Sequence, residues 1–123
     1  MQRSVFILEG DPIQQLWLTR TLRRSGYDCL GAARTARDAL LHFPRNHPGP
    51  DLLLIGHCRD CDYGLSATIT LFRLLHPSTK IILLASMPSM LRAGERVLRK
   101  PFSPRQLRGI LAETSKVLKT LEV

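Results

Sequence analysis

Short apolar runs alternate five times with segments of helical spacing, and this alternation constrains the fold more than any other feature. The first run, Val5-Phe6-Ile7-Leu8, reads as a buried strand. Asp11-Pro12 follows as an N-cap and first helical residue, where the missing proline N–H costs nothing. Ile13, Leu16, Trp17, Thr21 and Leu22 then recur at helical spacing until Gly26, and they mark the expected buried face. Residues 27–32 read as a second strand interrupted by Gly31, and Thr35 caps a helix through Phe43 with Asp38 as capping-box partner. After a polar, proline-containing loop comes Asp51-Leu52-Leu53-Leu54-Ile55, apolar enough for a strand covered on both faces. Leu65, Ile69, Phe72 and Leu75 give the next helix, and residues 80–84 the fourth strand. Residues 96–99 form a weak fifth strand, and Ser103-Pro104 opens a last helix with Leu107, Ile110, Leu111, Leu118 and Leu121 on one face.

Such alternation implies a parallel sheet with helices on both faces and right-handed crossovers. With no repeat, linker or low-complexity tract, residues 1–123 are expected to form a single three-layer α/β/α domain. Apolar content is ordinary, which excludes wholesale disorder. The longest apolar runs, 52–55 and 81–85, fall far short of the roughly 20 residues of a membrane span. The opening residues are too soon interrupted by Gly10-Asp11-Pro12 for a secretory signal, so a cytoplasmic location is expected. Cys29, Cys58 and Cys61 are too few, and odd in number, for a disulfide framework. Eighteen basic against ten acidic side chains give a net charge of +8, which favours anionic partners.

In a sheet of this kind, chemistry belongs at the carboxyl ends of the strands, beside a switch in strand order. Those ends read Glu9-Gly10-Asp11, Gly56, Ala85-Ser86 and Lys100-Pro101. Together with Gly26-Tyr27-Asp28-Cys29, Pro50-Asp51, Ala93-Gly94 and Arg99-Lys100-Pro101-Phe102-Ser103-Pro104, they make nearly the whole chain resemble one family. It is the receiver domain of bacterial two-component response regulators, the flavodoxin-like fold of CheY. Lys-Pro-Phe after a strand is the most specific piece. The resemblance implies a five-stranded parallel sheet of order 2-1-3-4-5. The interval from Ser86 to Lys100 is shorter than the family's by about two helical turns, so the fourth helix is expected to be shortened or absent.

The departures from the family pattern lie in its phosphorylation pocket. The aspartate that ends strand three and accepts a phosphoryl group is matched here by Gly56, which has no nucleophile. The two acidic residues that hold Mg²⁺ in the family are matched by Glu9 and Gly10, which removes oxygen ligands the cation requires. The family's switch hydroxyl falls on Ala85, with Ser86 one place late, while Lys100 stands in place. Asp11 is one position late and is expected to point away, and Asp60 and Asp62 lie in a loop. The degenerate pocket is therefore Glu9, Gly10, Asp11, Gly56, Ala85, Ser86 and Lys100, with no catalytic residue, metal or cofactor expected. Lys100 is expected to pair with Glu9 across neighbouring strand ends.

Two further features carry alternatives. Cys58 and Cys61, next to His57, have half the ligands of a zinc site or the spacing of a redox dithiol, but no second cysteine pair exists. Arg92, Arg96, Arg99, Arg105 and Arg108 cluster against Glu95 alone, on the face where receivers meet outputs or a second copy. Arginine is suited to bidentate capture of carboxylate or phosphate. The expected function is thus a pseudo-receiver of a bacterial signalling pathway, not an enzyme, acting by contact with an acidic protein partner. The alternative is an effector that takes an anionic nucleotide, such as a cyclic dinucleotide, on the arginine cluster.

Overall fold

The computed structural model describes residues 3–43, 47–57, 64–85 and 96–122, with side chains through residue 114. Its elements run β1 (Ser4–Leu8), α1 (Pro12–Arg24), β2 (Asp28–Ala33), α2 (Ala36–His42), β3 (Leu52–Ile55), α3 (Gly64–Leu75), β4 (Lys80–Ala85), β5 (Arg96–Arg99) and α4 (Pro104–Glu122). All five strands are parallel, in the order β2-β1-β3-β4-β5. This is the three-layer architecture expected from the alternation of apolar runs, in the flavodoxin-like strand order that the resemblance to receivers implies. The expected shortening of the helix between β4 and β5 concerns residues 86–95, which lie outside the described residues.

Period-two alternation along the central strands splits the core into two layers. Phe6, Leu8, Leu53, Ile55, Ile81 and Leu83 face α2 and α3, packing on Ala36, Ala39, Phe43, Ile69 and Phe72. Val5, Ile7, Leu52, Leu54, Ile82 and Leu84 face the other way, onto Leu18 and Leu22 of α1 and Leu107 and Leu111 of α4. Every residue of β3 is buried, as its unbroken apolar run requires of a central strand. The register between β1 and β2 shifts after Val5, which pairs with Cys29, so Phe6 pairs with Gly31 and Leu30 is skipped. A bulge there blunts one edge of the sheet, and Arg96 and Arg99, exposed on β5, blunt the other.

Helix α1 corrects one expectation. Asp11 is its N-cap, accepting from the Ile13 N–H at 2.9 Å, and Pro12 opens the helix as expected. The face turned to the sheet carries Leu18 and Leu22, whereas Ile13 is 78% exposed and Leu16 54% exposed. Leu18 and Leu22 are spaced i, i+4, and Ile13 and Leu16 project from the far side of the same helix. Apolar residues cover both sides of its first half, so spacing alone selects no inward face. Trp17 lies at the margin, half-buried against Phe102 with ring centroids 5.7 Å apart.

The amino-terminal ends of the strands are tied by side-chain hydrogen bonds. Ser4 N–H donates to Asp51 Oδ2 and Asp51 N–H to Ser4 Oγ, each at 2.9 Å, and Thr79 Oγ1 donates to the Pro50 carbonyl at 2.6 Å. Beside them His76 is buried, its Nε2 3.1 Å from the Phe43 carbonyl. Gly49 lies under that ring with φ +77°, and a Cβ there would sit 2.9 Å from His76 Cγ. Gly26 also has positive φ (+87°) but has open space around it. Gly26→Ala is therefore expected to cost about 1 kcal/mol, from backbone strain alone. Gly49→Ala is expected to cost about 2–3 kcal/mol or more, because the ring must also shift. Urea unfolding of both variants checks this ordering, and equal losses would refute the contact with His76.

Candidate functional site

Because the strands are parallel, the segments that follow them meet along one edge of the sheet, with the change of direction between β1 and β3. Backbone hydrogen bonds hold their register beyond the strands proper. Glu9 N–H donates to Ala33 O at 2.9 Å, Gly56 N–H to Leu8 O at 2.8 Å and Lys100 N–H to Ala85 O at 2.8 Å, while Gly10 N–H donates to His57 O. Position 9 is thereby fixed above the end of β1, position 56 above β3, position 85 above β4 and position 100 above β5.

At the centre is a buried ion pair. Glu9 is fully buried, and its Oε1 lies 3.1 Å from Lys100 Nζ, whose side chain is 19% exposed. Glu9 Oε2 accepts the Asp11 N–H at 3.1 Å, and the Glu9 carbonyl accepts Gln15 Nε2 at 3.2 Å. Both carboxylate oxygens thus have a donor, as burial of a charge demands. The two residues were expected on neighbouring strands, and here the structure differs. β1 and β5 are separated by β3 and β4, so the pair bridges across the ends of two intervening strands. It can do so because those strands end in Gly56 and Ala85, the smallest side chains available, beneath two long ones.

Gly56 is the tightest point of this arrangement. A Cβ built on it would overlap Glu9 Oε1 and stand 2.9 Å from Glu9 Cδ. The Glu9 carboxylate therefore fills the space that any side chain at the end of β3 would enter. Carboxylate and glycine are one device: a long acidic side chain from β1 lies where β3 offers none. In the sequence Gly56 stands only as an absent nucleophile, and its steric role emerges with the glutamate that faces it. The signal was the joint occurrence of a glutamate, one methylene longer than aspartate, and a glycine facing it.

These residues do not fit a bound Mg²⁺. Gly10 and Gly56 supply no carboxylate, and Glu9 already faces the Lys100 ammonium, which stands in the place of a cation. Asp11 is exposed and turned into its capping role, as its late position implied. Among the described residues no group of three or more His, Cys, Asp and Glu side chains is placed to hold a metal ion. Asp60, Asp62, Cys58, Cys61, Ser86 and Arg92 lie outside the described residues, and with them the dithiol alternative.

Among the described residues, two cavities open beside the pair. One, of about 590 Å³, is lined by Gly10, Asp11, Pro12, Arg34, Thr35, Asp38 and His57. The other, of about 540 Å³, is lined by Ile13, Gln14, Trp17, Lys100, Pro101 and Phe102. None of Arg96, Arg99, Arg105 and Arg108 lines either cavity, and all four are exposed. Arg96 meets Glu113 at 3.4 Å in an exposed pair, the kind that contributes about 0–1 kcal/mol.

No family model matches this sequence, and no curated protein does. Solved structures do match in fold. A CheY-like response regulator receiver domain protein from Methanospirillum hungatei JF-1 has a TM-score of 0.82 at 23% identity, with 98% of each chain covered. A response regulator receiver domain protein from Clostridium thermocellum has a TM-score of 0.83 at 15% identity, covering 97% of this chain and 98% of the other. NtrX from Brucella abortus, solved in complex with ADP, has a TM-score of 0.85 at 16% identity. It is covered over 29% of its length by 99% of this chain. The chain thus has the fold of a CheY-like receiver, and spans under a third of NtrX.

The geometry makes positions 9 and 56 interdependent. Gly56→Ala is expected to destabilise the fold by about 1–3 kcal/mol through overpacking against Glu9. Adding Glu9→Ala should recover much of that steric cost, so the two changes are expected to couple by about 1–3 kcal/mol in a double-mutant cycle. Lys100→Met, which leaves the buried carboxylate unpaired, is expected to cost about 3–5 kcal/mol. Additive effects of Gly56→Ala and Glu9→Ala in urea unfolding would disprove the shared space.

Proposed function

We propose that this chain is a signalling module of the response-regulator type that works by protein contact and does not accept a phosphoryl group. The observation that carries this reading is the Glu9–Lys100 pair closed over Gly56. In a receiver, an acidic group at the end of β3 is the nucleophile and the lysine after β5 attends the phosphoryl group. Here the lysine is held by a carboxylate from β1 and the nucleophile's position is a glycine, so no acyl phosphate forms there. On this reading the chain has no enzymatic step, requires no cofactor and acts in the cytoplasm as part of a two-component pathway.

The receiver domains that share its fold support the signalling class. One neighbour, RcsB from Salmonella enterica serovar Typhimurium, was solved bound to the promoter rprA in the presence of phosphomimetic BeF3⁻. In our reading the present chain needs no such mimic, because Glu9 supplies a carboxylate to Lys100 from within the chain. The partner is an acidic protein, which the net charge of +8 and the exposed Arg99, Arg105 and Arg108 favour.

Incubation with acetyl phosphate and Mg²⁺, followed by intact-mass measurement, is expected to leave the mass of the protein unchanged. A stoichiometric adduct labile to hydroxylamine would overturn the reading and direct attention to Asp11, Asp60 and Asp62.

A further inference from the structure

Parallel strands joined by returning helices bring two kinds of residue to the amino edge of the sheet: the first residues of the strands and the last turns of the helices. Period-two alternation then sorts the charges at that edge between the two helix layers. Val5, Leu52 and Lys80 are cross-strand partners in one row. Val5 and Leu52 point into the layer of α1 and α4, so Lys80 points the same way. Asp28 pairs with Ser4, one step before the row of Val5 and Cys29, and therefore faces the opposite layer. Asp51, one step before Leu52, faces that layer too and is occupied by its hydrogen bonds with Ser4. Of the charged residues that open the described strands, the cation goes to one side of the sheet and both carboxylates to the other.

Helix α1 ends at this same edge, and it brings Arg20, Arg23 and Arg24, all exposed. Neither these three nor Lys80 meets a carboxylate among the described residues. The negative end of the helix dipole favours Arg23 and Arg24, which stand in the last turn. It does not account for Arg20, one turn earlier, or for Lys80, which is on a strand. Nor does Lys80 guard a sheet edge, because β4 lies between β3 and β5. Half of this patch thus has no explanation inside the fold.

We propose that the amino edge of the α1 and α4 layer, through Arg20, Arg23, Arg24 and Lys80, binds the phosphate backbone of duplex nucleic acid without reading its sequence. This surface lies at the opposite end of the strands from the Glu9–Lys100 pair, and the proposal does not depend on how that pair is read. Arg20 and Arg24 are about 6 Å apart along the helix at 1.5 Å per residue, and a duplex carries about one charge per 1.7 Å. A protein partner fits less well, because protein interfaces need an apolar centre. Among the described residues the exposed large apolar side chains are elsewhere: Ile13 and Leu16 at the start of α1, Leu30 on the outer strand β2, and Leu41 and Leu74 on the helices of the opposite layer. The same lack leaves nothing to set into a membrane. Tyr27, the aromatic residue nearest the end of α1 in the chain, packs against the core and offers no platform for stacking single-stranded bases.

The test is fluorescence anisotropy of the full chain with a labelled duplex DNA of about 20 base pairs, in two unrelated sequences. Both are expected to bind equally, with a Kd in the micromolar range at about 50 mM salt. Four phosphate contacts give a slope of log K against log salt near −3.6, at about −0.9 per contact, so affinity should fall about 100-fold between about 50 and 200 mM. Arg20→Ala with Arg24→Ala should weaken binding more than tenfold and flatten the slope by about 2, while Arg20→Lys with Arg24→Lys keeps most of the affinity. Arg37→Ala, exposed on α2 in the opposite layer, should change it less than twofold. Urea midpoints close to that of the parent chain show that each variant is folded. Polyglutamate and vesicles containing about 30% phosphatidylserine are expected to bind at least tenfold more weakly than the duplex. No binding at about 50 mM salt, a flat salt dependence, full affinity in the double alanine variant, or equal binding of polyglutamate or of the vesicles would each overturn the proposal.

Discussion

The carboxyl edge of the sheet is organised by one ion pair, Glu9 with Lys100, that spans from β1 to β5. Removing charged groups from water is costly, and their attraction offsets that cost only when geometry is good and the remaining lone pairs are satisfied. Glu9 meets those conditions through Lys100 on one oxygen and the Asp11 N–H on the other. The same N–H precedes the carboxylate that caps α1, so the pair, the loop and the start of the helix share one set of hydrogen bonds. On the far side, Lys100 begins the turn that places Phe102 against Trp17. Two helices on one face of the sheet are thus registered against each other through a charge pair at its edge.

The fold was legible in the sequence because each layer repeats a simple pattern. Unbroken apolar runs at residues 5–8, 52–55 and 81–85 allow little but central strands, and Asp11-Pro12 and Thr35 mark helix starts that the structure places at the same residues. The faces of α1 were less legible, because its first half has apolar residues on both sides and periodicity does not say which side meets the sheet. The site was legible as a set of substitutions: Gly56, Gly10 and Ala85 could be read as absences. What fills that space could not be read, since it depends on Glu9 lying across the ends of two strands. Strand order, not strand sequence, decides that distance.

The basic residues are also sorted by the structure into different kinds. Arg96 and Arg99 lie on an edge strand, where charge discourages pairing with other chains, and Arg96 has a carboxylate neighbour in Glu113. Arg34 donates to the Gly10 carbonyl at 3.2 Å and belongs to the local architecture of the β1 and β2 ends. Arg20, Arg23 and Arg24 are exposed on α1, and the last two stand in its final turn, where the negative end of the helix dipole favours them. Density of arginine along the chain singles out residues 92–108, of which Arg99, Arg105 and Arg108 are exposed and Arg96 already meets a carboxylate.

An internal pair of this kind also bears on how such a module is regulated. A switch requires that a ligand or a modification interact differently with two states of the protein. In a receiver the phosphoryl group provides that difference at the lysine after β5. Here Lys100 has a partner supplied by the chain itself, a fully buried carboxylate 3.1 Å away. On the proposed reading nothing at the pocket changes between one state and another, and the apolar groove beside it is standing structure. On that reading control comes from the partner's side, through its abundance or the charge on its acidic surface.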